Sequence, residues 1–401
     1  MGLFSRRDTF RSALGAFALR LLMGGKDAYA ADAEGGGPAG ADMLLKGGSK
    51  VTRLFGRDYK GEELFAYVGQ MAQVAGIQRF ELTEGRAKGT ECARVYTGSG
   101  FEFLVVPDRA MDIALASYKG APLNWYSQAG IVAPTYQEPL GKGWDWTFFG
   151  GLNTTCGLRC AGHDSVDQGE PHGLHGRVAC IPAEDVNVTT EWRGDEYAME
   201  MKGTIREAHS YGDNVILTRS IRTRAGAKSF VLRDEVVNEG ANSTEHLVMY
   251  HINPGFPVLC EASKVLWSIE KAEQTTEAEF VQFVKPPAKA SGGGYFYHKA
   301  DAAGKAHAAC VNPEFDGGRG LGMYIEYDLA ALPVMVTWKQ MAKHAYCIGL
   351  EPANVRVTTN AKLRDRGELV MIEPGEKRVY EIEFGVLDGR EDIEAFRAKL
   401  P

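Results

Sequence analysis

The feature that most constrains this chain is a long succession of short runs in which apolar and polar residues alternate, each closed by a turn signal. Residues 186–193 (VNVTTEWR), 196–206 and 214–224 alternate in this way, as strands with one buried face must. The series continues at 229–239, 246–253, 322–329, 334–339 and 378–387, and 100–107 (GFEFLVVP) precedes it. Arg193-Gly-Asp195, Tyr211-Gly-Asp-Asn214 and Glu239-Gly-Ala-Asn242 read as the turns between runs. Helical spacing is confined to 61–75 and 392–400. Neither a G-x-G-x-x-G after a strand nor a phosphate loop is present. The pattern predicts an all-β fold, a large sandwich or barrel of antiparallel sheets with few short helices.

Composition narrows the function. With 44% apolar residues the chain can fill a core, which excludes disorder. Its 45 basic and 52 acidic residues leave a net charge of -7 with no basic block, so no nucleic-acid partner is expected. The 48 glycines point to turns, bulges and ligand loops.

The first residues have the order of an export signal. Arg6-Arg7 forms a twin-arginine-like basic region, 13–23 is apolar but interrupted by Arg20, and Ala28-Tyr-Ala30 suits signal peptidase. Residues 1–30 are therefore expected to engage the export machinery, with cleavage after Ala30 and a periplasmic or otherwise exported product. The apolar run is too short for stable membrane insertion. Residues 31–45 read as a Gly/Ala linker, and 46–401 as one domain.

Polar residues gather at three strand ends. One cluster is 150–164 (GGLNTTCGLRCAGHD) with 170–184 (EPHGLHGRVACIPAE), holding His163, His172 and His175. A second is 249–260 (MYHINPGFPVLC), centred on His251. The third is 347–355 (CIGLEPANV), with Glu351. Two imidazoles and a carboxylate supply a proton donor and a proton acceptor. Cys156, Cys160 and His163 also carry metal-ligand chemistry, but the C-x3-C spacing has no second pair to complete a zinc site. No metal or other cofactor is expected. The seven cysteines, odd in number and irregularly spaced, do not form a disulfide framework.

These clusters, in this order, resemble the aldose 1-epimerase (galactose mutarotase) superfamily. The matches are Leu174-His175-Gly176, Tyr250-His251-Ile252-Asn253 and Leu350-Glu351-Pro352. The stretches 106–112 (VPDRAMD), 149–157 (FGGLNTTCG) and 250–257 (YHINPGFP) are similar to a less-characterised branch of it. The resemblance implies a β-supersandwich with a sugar groove, a carbohydrate ligand and no cofactor. It also implies that Glu351 is the base, His251 the acid, and His175 a support for the ring oxygen or a neighbouring hydroxyl. Mutual attraction would hold His251 charged and Glu351 ionised.

Given the sugar groove that the resemblance implies, further residues suit it by their chemistry. Arg109, Asp112, Asn153, Arg177, Asn253 and Lys339 suit sugar hydroxyls, with a structural ion pair as the alternative for Arg109 and Asp112. Of Trp125, Trp144, Trp146 and Trp338, the expected stacking platform is Trp146 or Trp338. His172 rivals His175; three apart on an extended segment, the two face opposite ways. The sugar-binding aspartate motif usual between the second histidine and the glutamate is missing. The expected function is anomer interconversion of a sugar or sugar derivative. The alternatives are a non-catalytic sugar-binding protein, or an isomerase or lyase of oxidised sugars.

Overall fold

The computed structural model describes residues 52–288 and 291–401; the expected leader and linker lie outside the described residues. Three antiparallel sheets dominate. The largest has eight strands, in the order Glu184–Arg193, Glu196–Ala208, Asn214–Arg224, Ser229–Asn238, Lys377–Asp388, Leu321–Asp328, Lys305–Asn312 and Lys264–Trp267. A six-stranded sheet runs Ile269–Glu273, Ser291–His298, Val334–Ala342, Ala345–Ala353, Met249–His251 and Thr154–Cys156. The third, of five strands, starts at Gly76–Glu81 and continues through Glu91–Tyr96, Phe101–Val106, Asp112–Tyr118 and Ala121–Pro122.

The alternation seen in the sequence decides which face of each strand is buried. Phe230, Leu232 and Val236 point inward from one strand, and Val215, Leu217 and Ile221 from its neighbour. They share one core with Tyr250, Phe296, Met335, Ile348 and Leu350 of the six-stranded sheet. Fully burying side chains of this size stabilises by about 1.5–3 kcal/mol each. All the predicted strands are present, and the fold is the expected β-sandwich.

Two charged residues occupy inward positions of that alternation. Arg219 and Asp234 are directly opposed in register and almost wholly buried. The Arg219 guanidinium donates to both Asp234 oxygens, at 2.8 and 2.7 Å, and to Asp112 Oδ1 at 2.8 Å. It also donates to Thr155 Oγ1, and Tyr250 Oη donates to Asp234 Oδ2 at 2.7 Å. This network ties the three sheets together beside Thr154 and His251. A buried charge is tolerated only when it is paired and hydrogen-bonded, as both carboxylates are here.

The helical stretch predicted over 61–75 is broken. It forms a helix at Gly61–Phe65 and a short 3-10 turn at Met71–Gln73. Leu64, Val68, Met71 and Ala75 still share one apolar cluster. The intervening Gly69 has low helix propensity, and tertiary packing keeps the apolar spacing without the continuous helix. The C-terminal helix spans Arg390–Lys399 and buries Ile393 and Phe396. No helix among the described residues is long and apolar enough to cross a membrane.

Candidate active site

Two neighbouring strands bring the site together. Met249 pairs with Ala353, and the same register continues through the Leu350 N–H, which donates to the Ile252 carbonyl at 2.9 Å. His251 therefore stands directly opposite Glu351. Opposed residues of an antiparallel pair share a face, so both side chains leave the sheet on the same side. Leu350 and Ile348, on the other face, enter the core.

The resulting contact is close and dry. Nε2 of His251 lies 3.3 Å from Oε1 of Glu351, with both residues almost fully buried. Neither His251 Nδ1 nor Glu351 Oε1 has a hydrogen-bond partner among the described residues. Burial pushes the His251 imidazole down to about 3, with the nearby His175 adding to the effect. Burial likewise holds the Glu351 carboxyl well above its ordinary range. Desolvation thus works against the mutual attraction expected from the sequence and favours the uncharged form of each group.

Space for the carboxyl comes from Gly349, two residues earlier on the same face. A β-carbon there would lie 1.8 Å from Glu351 Oε1. Across the ladder, Trp338 pairs with Gly349 and Val336 with Glu351. The next strand carries Gly292, Gly293 and Gly294, which line the cavity floor.

His175 arrives from a loop. It adopts a left-handed backbone (φ 57°), and Gly176 follows at φ 76° with no room for a β-carbon against the Cys160 and Gly157 carbonyls. Nδ1 of His175 is 2.8 Å from the Ala161 carbonyl. A carbonyl only accepts, so Nδ1 carries the hydrogen and Nε2 presents a lone pair. Burial lowers this imidazole to about 4, so it too is neutral near pH 7. The His175 and His251 rings meet edge-on, 5.8 Å between centroids.

Aromatic rings enclose the pair. Phe148, Trp338 and Trp144 lie 5.0, 5.7 and 5.9 Å from the His251 ring, and Trp125 packs against Trp338 and Phe148. Together they wall a cavity of about 770 Å³, with Lys142, Asp145, His163, Gln274 and Gln340 among the polar groups lining it.

The cavity therefore collects His175, His251, Glu351 and Trp338. The other expected groove residues are engaged elsewhere. Arg109 is fully buried and donates to the Ala179, Val132 and Thr147 carbonyls. Asp112 and Asn153 belong to the Arg219 network. Asn253 is also buried; its amide donates to the Gly150, Gly151 and His251 carbonyls and so braces the strand that carries His251. The Lys339 ammonium is held by the Glu279, Phe280 and Gln282 carbonyls. His172 is buried on a separate two-stranded hairpin, and Arg177 and Trp146 are exposed outside the cavity.

Cys156 and Cys160 are buried free thiols. Among the described residues no group of three His, Cys, Asp or Glu is placed to hold a metal ion. Trp125 and Trp144, the two tryptophan candidates not preferred from the sequence, line the cavity, and Phe148 and Tyr295 join them without having been expected to. Trp144 and Trp146 lie in one 3-10 turn, Gly143–Trp146, where residues two apart point in different directions.

Comparison with known proteins agrees with this architecture. The sequence profile of a "Domain of unknown function (DUF4432)" matches residues 87–386. No curated protein matches the chain. Among solved structures, a candidate aldose 1-epimerase from Klebsiella pneumoniae is 21% identical, with a TM-score of 0.76 over 82% of this chain and 89% of that one. A galactose mutarotase-like protein from Clostridium acetobutylicum is 15% identical (TM-score 0.54, 79% of this chain and 99% of that one). Galactose 1-epimerase from Lactobacillus acidophilus is 12% identical (TM-score 0.51, 79% and 100%). At these identities the likeness is one of fold, the galactose-mutarotase-like sandwich.

Proposed function

The chain belongs to the DUF4432 family, and from that premise we propose that it is an aldose 1-epimerase-type isomerase, interconverting anomers of a sugar or sugar derivative by acid/base ring opening. The observation that carries the reading is the buried His251–Glu351 pair, 3.3 Å apart in an aromatic-walled cavity.

The pair holds one transferable proton. Its passage from Glu351 to His251 leaves a carboxylate and an imidazolium. The carboxylate takes the proton of the anomeric hydroxyl while His251 gives its proton to the ring oxygen. The C1–ring oxygen bond breaks, a carbonyl forms at C1, and rotation about C1–C2 exposes its other face. Closure reverses the proton transfers. His175 Nε2, a lone pair facing the same cavity, accepts a hydrogen bond from a sugar hydroxyl. Proton and electron counts close on two side chains, so no redox cofactor enters the step. Acid and base catalysis contribute about 10²–10⁴ each, enough for a reaction that already proceeds in water.

The test is exchange of a freshly dissolved pure anomer, followed by polarimetry or NMR over a panel of sugars. Acceleration that disappears in Glu351→Gln and His251→Asn is expected. Acceleration surviving both substitutions removes the pair from the mechanism, and binding of a sugar without acceleration turns the protein into a sugar-binding one. The Arg6-Arg7 and Ala28-Tyr-Ala30 pattern supports an exported enzyme. A native-host product beginning at Ala31 is expected; one retaining Met1 overturns this.

A further inference from the structure

The cavity is longer than ring opening requires. Its lining follows the strands Val334–Ala342 and Ala345–Ala353 from Glu351 and Val336, past Trp338 and Gln340, to Ala345 and His344 at the hairpin turn. From Glu351 to Ala345 the strand covers about 20 Å at ~3.4 Å per residue, several times the span of one pyranose ring. Its volume of about 770 Å³ points the same way. The dozen heavy atoms of a hexose, given even the ~30 Å³ that each oxygen has in liquid water, fill about 360 Å³.

The stretch beyond Trp338 has its own chemistry. Trp125 stands over the hairpin, its indole Nε1 donating to the His344 carbonyl at 3.3 Å and its ring 6.1 Å from that of Trp338. That hydrogen bond fixes the indole before any ligand arrives. Gln340 and Gln128 line the same cavity with side-chain amides that have no protein partner among the described residues. A fixed aromatic face with uncharged donors and acceptors beside it suits a neutral glycosyl residue. No arginine lines the cavity among the described residues, and the charge of its one lysine, Lys142, is offset by the nearby Asp145, which sets it apart from a phosphate site.

The opposite end is closed to extension. Glu351 and His251 are buried with Trp144 and Phe148 packed about them. A sugar whose anomeric carbon reaches this pair has room to continue along the sheet toward the 342–345 hairpin.

We propose that the substrate is the reducing end of a neutral oligosaccharide, with the reacting ring at His251 and Glu351 and the adjoining glycosyl residue held between Trp338, Trp125 and Gln340. This rests on the isomerase reading and specifies its substrate class.

The test compares kcat/KM for anomer exchange of glucose, galactose, mannose and xylose with that of disaccharides and trisaccharides ending in the same reducing sugars. At least one oligosaccharide is expected to exceed its monosaccharide by about tenfold or more, the equivalent of ~1.4 kcal/mol of additional transition-state binding. Trp125→Ala and Gln340→Ala are each expected to reduce that ratio severalfold, chiefly through KM of the oligosaccharide. Monosaccharides turned over as well as every oligosaccharide would overturn the proposal and leave the isomerase reading standing. A preference that survives both substitutions would also overturn it. Absence of exchange with every sugar would remove the isomerase reading, and this proposal with it.

Discussion

Gly349 and Glu351 exclude each other's freedom: a β-carbon on Gly349 would lie 1.8 Å from Oε1 of Glu351. The two residues share a face of one strand, so the carboxyl lies over the glycine rather than extending away from the sheet. The absence of a side chain at Gly349 gives Glu351 its place against His251.

Gly349→Ala should therefore act on the rate rather than the fold. Alanine fits a strand, but the carboxyl must swing away from His251. A displacement of about 1 Å at a reacting group costs on the order of 10²-fold. The expected result is a kcat lowered by that order with a native circular dichroism spectrum. An unchanged kcat would show that Glu351 does not need this position.

Removing either member of the pair should cost about 10²–10⁴ in kcat for anomer exchange. Because the two pass a single proton, the double variant Glu351→Gln/His251→Asn should lose little more than the worse single variant. Losses that multiply would show that the groups act independently.

The same substitutions should move stability with pH in opposite directions. Burial raises Glu351 above its ordinary 4.5, so its protonated form contributes stability below that pH, and this is lost as pH rises toward the folded value. Glu351→Gln should gain in melting temperature over the wild type between pH 5 and 8. His251 is depressed from 6.5 to about 3, so the folded state resists a proton that the unfolded chain accepts. His251→Asn should gain over the wild type as pH falls from 6.5 toward 4. Each trend is bounded by about 1.4 kcal/mol per pH unit. Parallel slopes in calorimetry would contradict the opposite directions in which burial shifts the two groups.

Arg219→Met leaves Asp112 and Asp234 buried without their cation. Breaking a buried pair on one side costs about 3–5 kcal/mol. Denaturant titration should show a loss of that size near neutral pH, partly recovered when Asp234→Asn is added. A loss below 1 kcal/mol would mean that the network is not closed as described.

Much of the fold was legible because strands with one buried face leave a period of two in the sequence, as in 214–224 and 229–239. Where that signal is absent the strands were missed: Ser291–His298 has three glycines among its first four residues, and Lys305–Asn312 is buried along nearly its whole length. His175, His251 and Glu351 stood out because each sits in a stretch rich in glycine, proline or asparagine. The fate of Arg109 and Lys339 could not be read in this way. Their partners are main-chain carbonyls remote in sequence, and a carbonyl has no residue type to betray it. Arg219 and Asp234 did leave a signal, as charges at inward positions of two adjacent runs, and reading the runs together would have paired them. The effect of burial on the pair escaped because attraction can be argued from residue types, whereas desolvation depends on how completely the aromatic walls close.

The direct opposition of His251 and Glu351 has a consequence for how this site can change. Their separation is the spacing of a hydrogen-bonded ladder, so it does not depend on any loop. Loops elsewhere can lengthen, and the cavity's walls can be exchanged, without altering the distance across which the proton moves. A one-residue insertion between Met249 and His251 would instead turn the imidazole to the far side of the sheet. On the proposed isomerase reading, substrate choice and proton chemistry are thus separable in this architecture, the first set by walls that tolerate variation and the second by a register that shifts only in whole residues.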